Sequence, residues 1–168
     1  MTTSDTEPLI TPAARGWIGR KYEPVWYDVS ATEIAKYCYA IGQHDARYFD
    51  DAVARTQGLR GIAAPLSYHT VARIAAFMIR PRIDLLEDGA PDDDFPPVRA
   101  TQAMAGETHI TFNGYVYAGD RLRIDKTLTN MVEKRGTHGA MVVASFTFEL
   151  TNQLDELVSV EHYSRILR

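Results

Sequence analysis

Between residue 65 and the last third of the chain the spacing of apolar residues changes from that of a helix to that of a strand. This switch limits the possible folds more than any other feature. In Pro65-Leu-Ser-Tyr-His-Thr-Val-Ala-Arg-Ile-Ala-Ala-Phe-Met-Ile79 a helix would be apolar on almost every side, which marks a helix buried on most of its circumference. Proline suits its first turn. Further on, Val142, Ala144, Phe146, Phe148 and Leu150 alternate with Val143, Ser145, Thr147 and Glu149, the period of a half-buried strand. Leu122, Ile124 and Leu128 alternate in the same way with Arg121, Arg123 and Asp125. Turn residues fall at 136–139 and 152–156, so residues 107–168 read as about four consecutive antiparallel strands. A buried helix followed by a meander predicts an α+β domain whose sheet wraps one long helix. Val71, Ile74, Ala75 and Met78 are expected on the enclosed side.

The first half is punctuated more sharply. Ser30 followed by Glu33 makes a capping box, with Val29 and Ile34 as its hydrophobic staple. Gly42 stands where such a helix stops, which predicts a helix over 31–41. A short helix over about 50–56 follows, ended by Gly58. Residues 1–15 carry no periodic pattern and are expected to form a flexible tail ahead of one domain, 16–168. Within it, 80–106 holds four prolines and the run Asp92-Asp93-Asp94, so a solvated loop insertion is expected there.

Composition excludes several classes of function. A length of 168 residues suits one domain that needs no metal or disulfide to hold its core. A net charge of −4 argues against a nucleic-acid binder. The single cysteine, Cys38, fits a reducing compartment. No apolar run approaches the ~20 residues that cross a bilayer, and the polar, acidic start is unlike a signal peptide. A cytoplasmic protein is expected. Cys and His spacings give no zinc pattern, and no phosphate-cradling glycine loop is present.

Four pieces of sequence, in order, suggest a family. They are Gln43-His44-Asp45-Ala46-Arg47-Tyr48-Phe49-Asp50 after the first helix, then Gly61-Ile-Ala-Ala-Pro65 opening the buried helix, then Tyr117-Ala-Gly-Asp-Arg-Leu122, and last Thr151-Asn152-Gln153. Together they resemble the MaoC-like hot-dog dehydratases, in their N-terminal (FAS1-like) non-catalytic type. The accessory subunits of heterodimeric (3R)-hydroxyacyl thioester dehydratases are the most similar. The similarity runs over about 16–168. It implies a single hot-dog fold, a CoA or acyl-carrier-protein thioester as substrate, no metal or redox cofactor, and a second hot-dog chain as partner.

Catalytic members of that family carry G-D-x-N-P-x-H after the first helix, and the resemblance implies that its aspartate and histidine handle water and proton. Hydration of an enoyl thioester needs a base for water, an acid for Cα, and a donor for the thioester oxygen. In this chain the aspartate position is Gln43, which is no base. The histidine position is Tyr48, whose ordinary pKa near 10 makes it a poor one. The position of the oxyanion glycine is Pro65, which has no N–H. No catalytic residue is therefore expected here. A shifted dyad of His44 and Asp45 is the alternative, against their commonplace use in shaping a turn.

Leu66, His69 and Arg73 on the buried helix, with His109 and Asn113 on the first strand after the loop, are the candidates for lining the substrate. His69 is weighed against a plain hydrogen-bonded core role, and His109 and Asn113 against simple exposure. Two further readings stay open: a self-sufficient homodimeric hydratase with a shifted site, and a non-catalytic protein that binds acyl thioesters.

Overall fold

The computed structural model describes residues 7–78, 95–136 and 139–168. Five strands make one antiparallel sheet: β1 (Val25–Asp28), β2 (Ala103–Phe112), β3 (Arg121–Gly136), β4 (Gly139–Thr151) and β5 (Leu157–Leu167). Their spatial order is β1-β3-β4-β5-β2, so β1 and β2 are the two edges. The alternation legible in the sequence sets the inner face. Leu122, Ile124 and Leu128 of β3 are fully buried, as are Val142, Ala144 and Leu150 of β4. Register pairs Ile124 with Leu150 and Leu128 with Phe146. Each of the Val, Leu, Ile and Phe side chains contributes about 1.5–3 kcal/mol by leaving water.

Four helices accompany the sheet: α1 (Pro12–Arg15), α2 (Ala31–Ala40), α3 (Asp51–Thr56) and α4 (Tyr68–Met78). The cap of α2 forms as its sequence predicts. The Ser30 hydroxyl accepts from the Glu33 N–H at 3.1 Å, and Val29 and Ile34 are both buried. Its end is a Schellman turn: Gly42 has φ +68°, the Gln43 N–H reaches Cys38 O at 2.8 Å, and the Gly42 N–H reaches Tyr39 O.

Helix α4 lies in the hollow of the sheet and touches both edges. The Tyr68 hydroxyl meets that of Tyr27 on β1 at 3.2 Å, and the His69 ring meets Phe112 on β2 edge-on at 5.2 Å. Phe77 packs on Phe148 of the central strand β4 at 5.8 Å. A sheet whose two margins both reach one helix is wrapped around it. This is the hot-dog architecture.

The structure corrects the sequence reading in four places. Helix α4 begins at Tyr68 rather than Pro65, because residues 65–67 form a separate turn in which Pro65 O accepts from the Tyr68 N–H at 2.8 Å. Its enclosed face is Tyr68, His69, Ala72, Ala76 and Phe77. Val71 and Ala75 are only half-buried, and Ile74 is 50% exposed. Two of the inner places went to polar-tipped residues, Tyr68 and His69, which a search for the most apolar side passes over. The side chain of Met78, and Ile79, lie outside the described residues.

The expected tail is ordered from before Pro12. The Glu133 carboxylate accepts from the N–H groups of Leu9 (2.8 Å) and Ile10, and Thr11 caps α1 with Pro12 in its first turn. Finally, β2 begins at Ala103, inside the expected 80–106 loop, of which 79–94 lie outside the described residues.

Strand β2 differs from its neighbours. It pairs with β5 on one side only, and nearly all of it is exposed, Met104 and Phe112 included. A bulge between Ala105 and Thr108 shifts its register. Gly106 is required there, since a Cβ would stand 3.0 Å from the Ser164 carbonyl oxygen.

Candidate functional site

The turn after α2 gathers Gln43, His44, Asp45, Arg47 and Tyr48. Asp45 caps a short 3-10 turn (Ala46–Tyr48), accepting from the Arg47 N–H at 3.1 Å and from Arg47 Nε at 2.8 Å. Gln43 Oε1 accepts from the Asp45 N–H at 3.1 Å, so that amide is committed to shaping the turn. His44 is exposed. The hydrogen bonds from the Arg47 side chain and N–H hold the Asp45 carboxyl below the ordinary carboxylate range, which makes it a weaker base. Burial pushes the Tyr48 phenol above its ordinary value, so it stays protonated. Sequence reasoning missed Arg47, the residue whose guanidinium holds the Asp45 carboxylate. Its signal was an arginine two residues beyond a capping aspartate.

A titration of Asp45 followed by NMR should therefore show a midpoint below the usual ~3.9, and Arg47→Gln should move it up toward that value. Because the folded pKa is the lowered one, the clamp stabilises the fold above the ordinary carboxylate range and is lost as pH falls through the lowered value. An unmoved midpoint in the variant would mean that Arg47 does not hold Asp45.

The second group lies along α4. The Tyr37 hydroxyl donates to Ser67 Oγ at 2.8 Å, and the Tyr37 ring meets Tyr68 edge-on, joining α2 to the helix lead-in. Pro65 is buried, Leu66 is 45% exposed, and His69 is buried. The Leu66 carbonyl lies 3.0 Å from His69 Nδ1 and can only accept, so that nitrogen carries the proton. On the other side, His69 Nε2 is 3.0 Å from Thr70 Oγ1 and 3.7 Å from Glu161 Oε2. Arg73 Nε stands 2.8 Å from the same Glu161 oxygen. Thus His69 and Arg73 do come together in the hollow, around a buried Glu161 that the sequence reading did not single out.

His109 and Asn113 do not join them. Phe112 faces α4 and no bulge intervenes, so His109, three residues earlier, points away from the helix. It pairs with His162 and lines a shallow outer cavity of about 260 Å³ with Glu107 and Ser145. Asn113 is exposed beyond the end of β2. Both side chains are exposed, the alternative weighed against a channel for them.

The Tyr117-to-Leu122 element has a structural use. Gly119, with φ +88°, lets Asp120 fold back. The buried Asp120 carboxylate accepts from the Tyr117 N–H at 2.8 Å, from Gln153 Nε2 at 3.1 Å and from Arg60. It clasps three loops together. Asn152 accepts from the N–H groups of Leu154 and Glu156 and so shapes the β4–β5 turn. Among the described residues no three His, Cys, Asp or Glu side chains converge as metal ligands, and no helix is long and apolar enough to cross a membrane.

Comparison with known proteins agrees with this geometry. A UPF0336 protein of Mycobacterium tuberculosis is 26% identical over 145 residues, covering 84% of this chain and 81% of its own. The ChsH1-ChsH2 complex of M. tuberculosis superposes with a TM-score of 0.69 at 22% identity, over 87% of this chain and 83% of that one. The HadBC (3R-hydroxyacyl-ACP dehydratase) complex from the same organism gives 0.67 at 18% identity, over 89% and 96%. These likenesses show the fold. The family described as FAS1-like, dehydratase domain region, matches residues 16–161. With nearly the whole described sheet and α4 inside that match, the chain belongs to the FAS1-like dehydratase region family of MaoC-like hot-dog proteins.

Proposed function

We propose that this chain is the non-catalytic subunit of a two-chain enoyl-thioester hydratase, or (3R)-hydroxyacyl-thioester dehydratase when run in reverse. The observation that carries this reading is the state of the turn after α2. Gln43 shapes the turn, Asp45 is clamped by Arg47, and Tyr48 remains protonated. None of the three takes a proton from water near neutral pH. Pro65 has no N–H for the thioester oxygen.

In this reading a partner hot-dog chain supplies the aspartate, the histidine and the oxyanion donor. This chain supplies a bed for the acyl group along α4. The substrate is a CoA or acyl-carrier-protein thioester in the cytoplasm, handled without a metal or redox cofactor. Two exposed features support the partner reading. The free edge of β2 offers unpaired N–H and C=O groups. Leu66 in the lead-in turn and Ile74 on α4 are both near half-exposed, with the partly exposed Thr70 between them in sequence.

Hydration of crotonyl-CoA by the purified chain, alone and with a catalytic hot-dog partner, tests the reading. Background alone and an ordinary turnover of ~1–10³ s⁻¹ in the complex are expected. Full turnover by the chain alone would establish the self-sufficient alternative instead. Thioester binding with no stimulation of any partner would leave a binding protein.

A further inference from the structure

The hollow between α4 and β5 contains a polar cluster that a bed for a plain alkyl chain does not need. Ser159 and Glu161 stand two apart on β5 and share its inward face, 0% and 1% exposed. Glu161 meets Arg73 and His69 of α4, as described above, and the Arg73 guanidinium lies over the Phe148 ring at 4.7 Å. Phe112, on the free edge strand, closes the cluster with its ring against His69.

The hydrogen bonding within this cluster is incomplete. Ser159 Oγ has no partner among the described residues. Arg73 Nε and Glu161 Oε2 are within ionic reach, yet neither makes an aligned hydrogen bond. Three buried polar atoms are thus left short of partners, which is costly unless something completes them. The charges of Arg73 and Glu161 cancel, so an ionised group would enter unbalanced. A group that both donates and accepts fits best: it gives its proton to Glu161 and receives from Ser159 or Arg73. A ketone only accepts, and an alkyl chain does neither.

We propose that His69, Arg73, Ser159 and Glu161 form a subsite for an alcohol group carried on the bound acyl chain. The proposal rests on the reading that the acyl chain lies along α4. The thioester lies with the partner's oxyanion donor, so the alcohol meant here is one further along the chain than the 3-hydroxyl on which the partner's acid–base pair acts. Phe112 sets the entrance, and its seat on β2 puts that entrance beside the docking edge.

Calorimetric titration of the full chain with decanoyl-CoA and with 5-hydroxydecanoyl-CoA tests both levels. The hydroxylated thioester should bind about tenfold more tightly, the usual effect of a hydrogen bond to a charged group. Ser159→Ala should reduce that preference to under threefold without lowering the melting temperature, since it deletes a hydroxyl that has no partner. Equal binding of the two thioesters would overturn the subsite while leaving the acyl bed intact. So would a preference that survives Ser159→Ala, or a marked fall in that variant's melting temperature. Failure of both thioesters to bind would remove the acyl bed, and the subsite with it.

Discussion

Gln43→Asp combined with Tyr48→His leaves the isolated chain within about tenfold of the background hydration rate of crotonyl-CoA. The double variant restores the two side chains whose positions match the family's acid–base pair. It does not restore a donor where the enolate oxygen develops, because Pro65 has no N–H to offer. One missing oxyanion donor typically costs 10²–10³ in rate. Adding Pro65→Gly should therefore raise the rate of the double variant by about that factor. The buried lead-in turn keeps its Tyr68 N–H to Pro65 O hydrogen bond with any residue at 65, so the triple variant should fold. Circular dichroism and thermal melting of both variants precede the kinetic comparison. A double variant with the turnover of an ordinary hydratase would mean that the thioester oxygen lies elsewhere than at Pro65.

Ala72→Asp abolishes soluble folding, whereas Ile74→Asp leaves the melting temperature almost unchanged. Both sites lie on α4, but Ala72 is fully buried and Ile74 half-exposed. A carboxylate at 72 would be an unpaired charge in a core with no room for it, costing several kcal/mol. Domains are stable by only about 5–15 kcal/mol. At 74 the new charge reaches water, and surface changes stay within about 0.5 kcal/mol. The charge at 74 should instead weaken assembly with a partner chain, which analytical ultracentrifugation of the mixture measures. A soluble Ala72→Asp with an unchanged melting temperature would show that α4 does not face the sheet in this way. An unfolded Ile74→Asp would do the same.

The contrast between these two positions shows what the sequence could and could not reveal. Strands β3 and β4 were legible because alternation over ten or more residues has one buried register, and the Gly and Asn turns bound it. Helix α2 was legible because its cap, staple and stop are local chemistry. The orientation of α4 was misread, since its inner face includes Tyr68 and His69, whose polar tips meet Tyr27 and Glu161 only once the sheet is in place. Strand β5 hid the polar cluster for a related reason. In Val158-Ser159-Val160-Glu161 the valines are the natural inward guess; Val158 is buried, but the register with β4, pairing Phe148 with Glu161, turns the serine and glutamate inward as well. The residues that stand at the family's acid–base positions, Gln43 and Tyr48, could be read off one by one. The Arg47 clamp on Asp45 had only a weak signal, an arginine two residues after the aspartate, because spacing does not specify the rotamers that close the pair.

The bulge at the start of β2 also bears on how the chain behaves when it is made in excess. Growth of a fibre by strand addition requires a long, flat edge, and this edge is straight only from Thr108 to Phe112 before the register breaks at Gly106 and Glu107. A flexible glycine pinned against Ser164 and a charged Glu107 follow directly. Five regular residues suffice to recognise one matching strand, but a kink and a carboxylate interrupt endless stacking. Overexpressed alone, the chain is expected to stay dispersed and to be cleared by proteolysis rather than to deposit, so an imbalance in subunit dosage would waste protein without seeding aggregates.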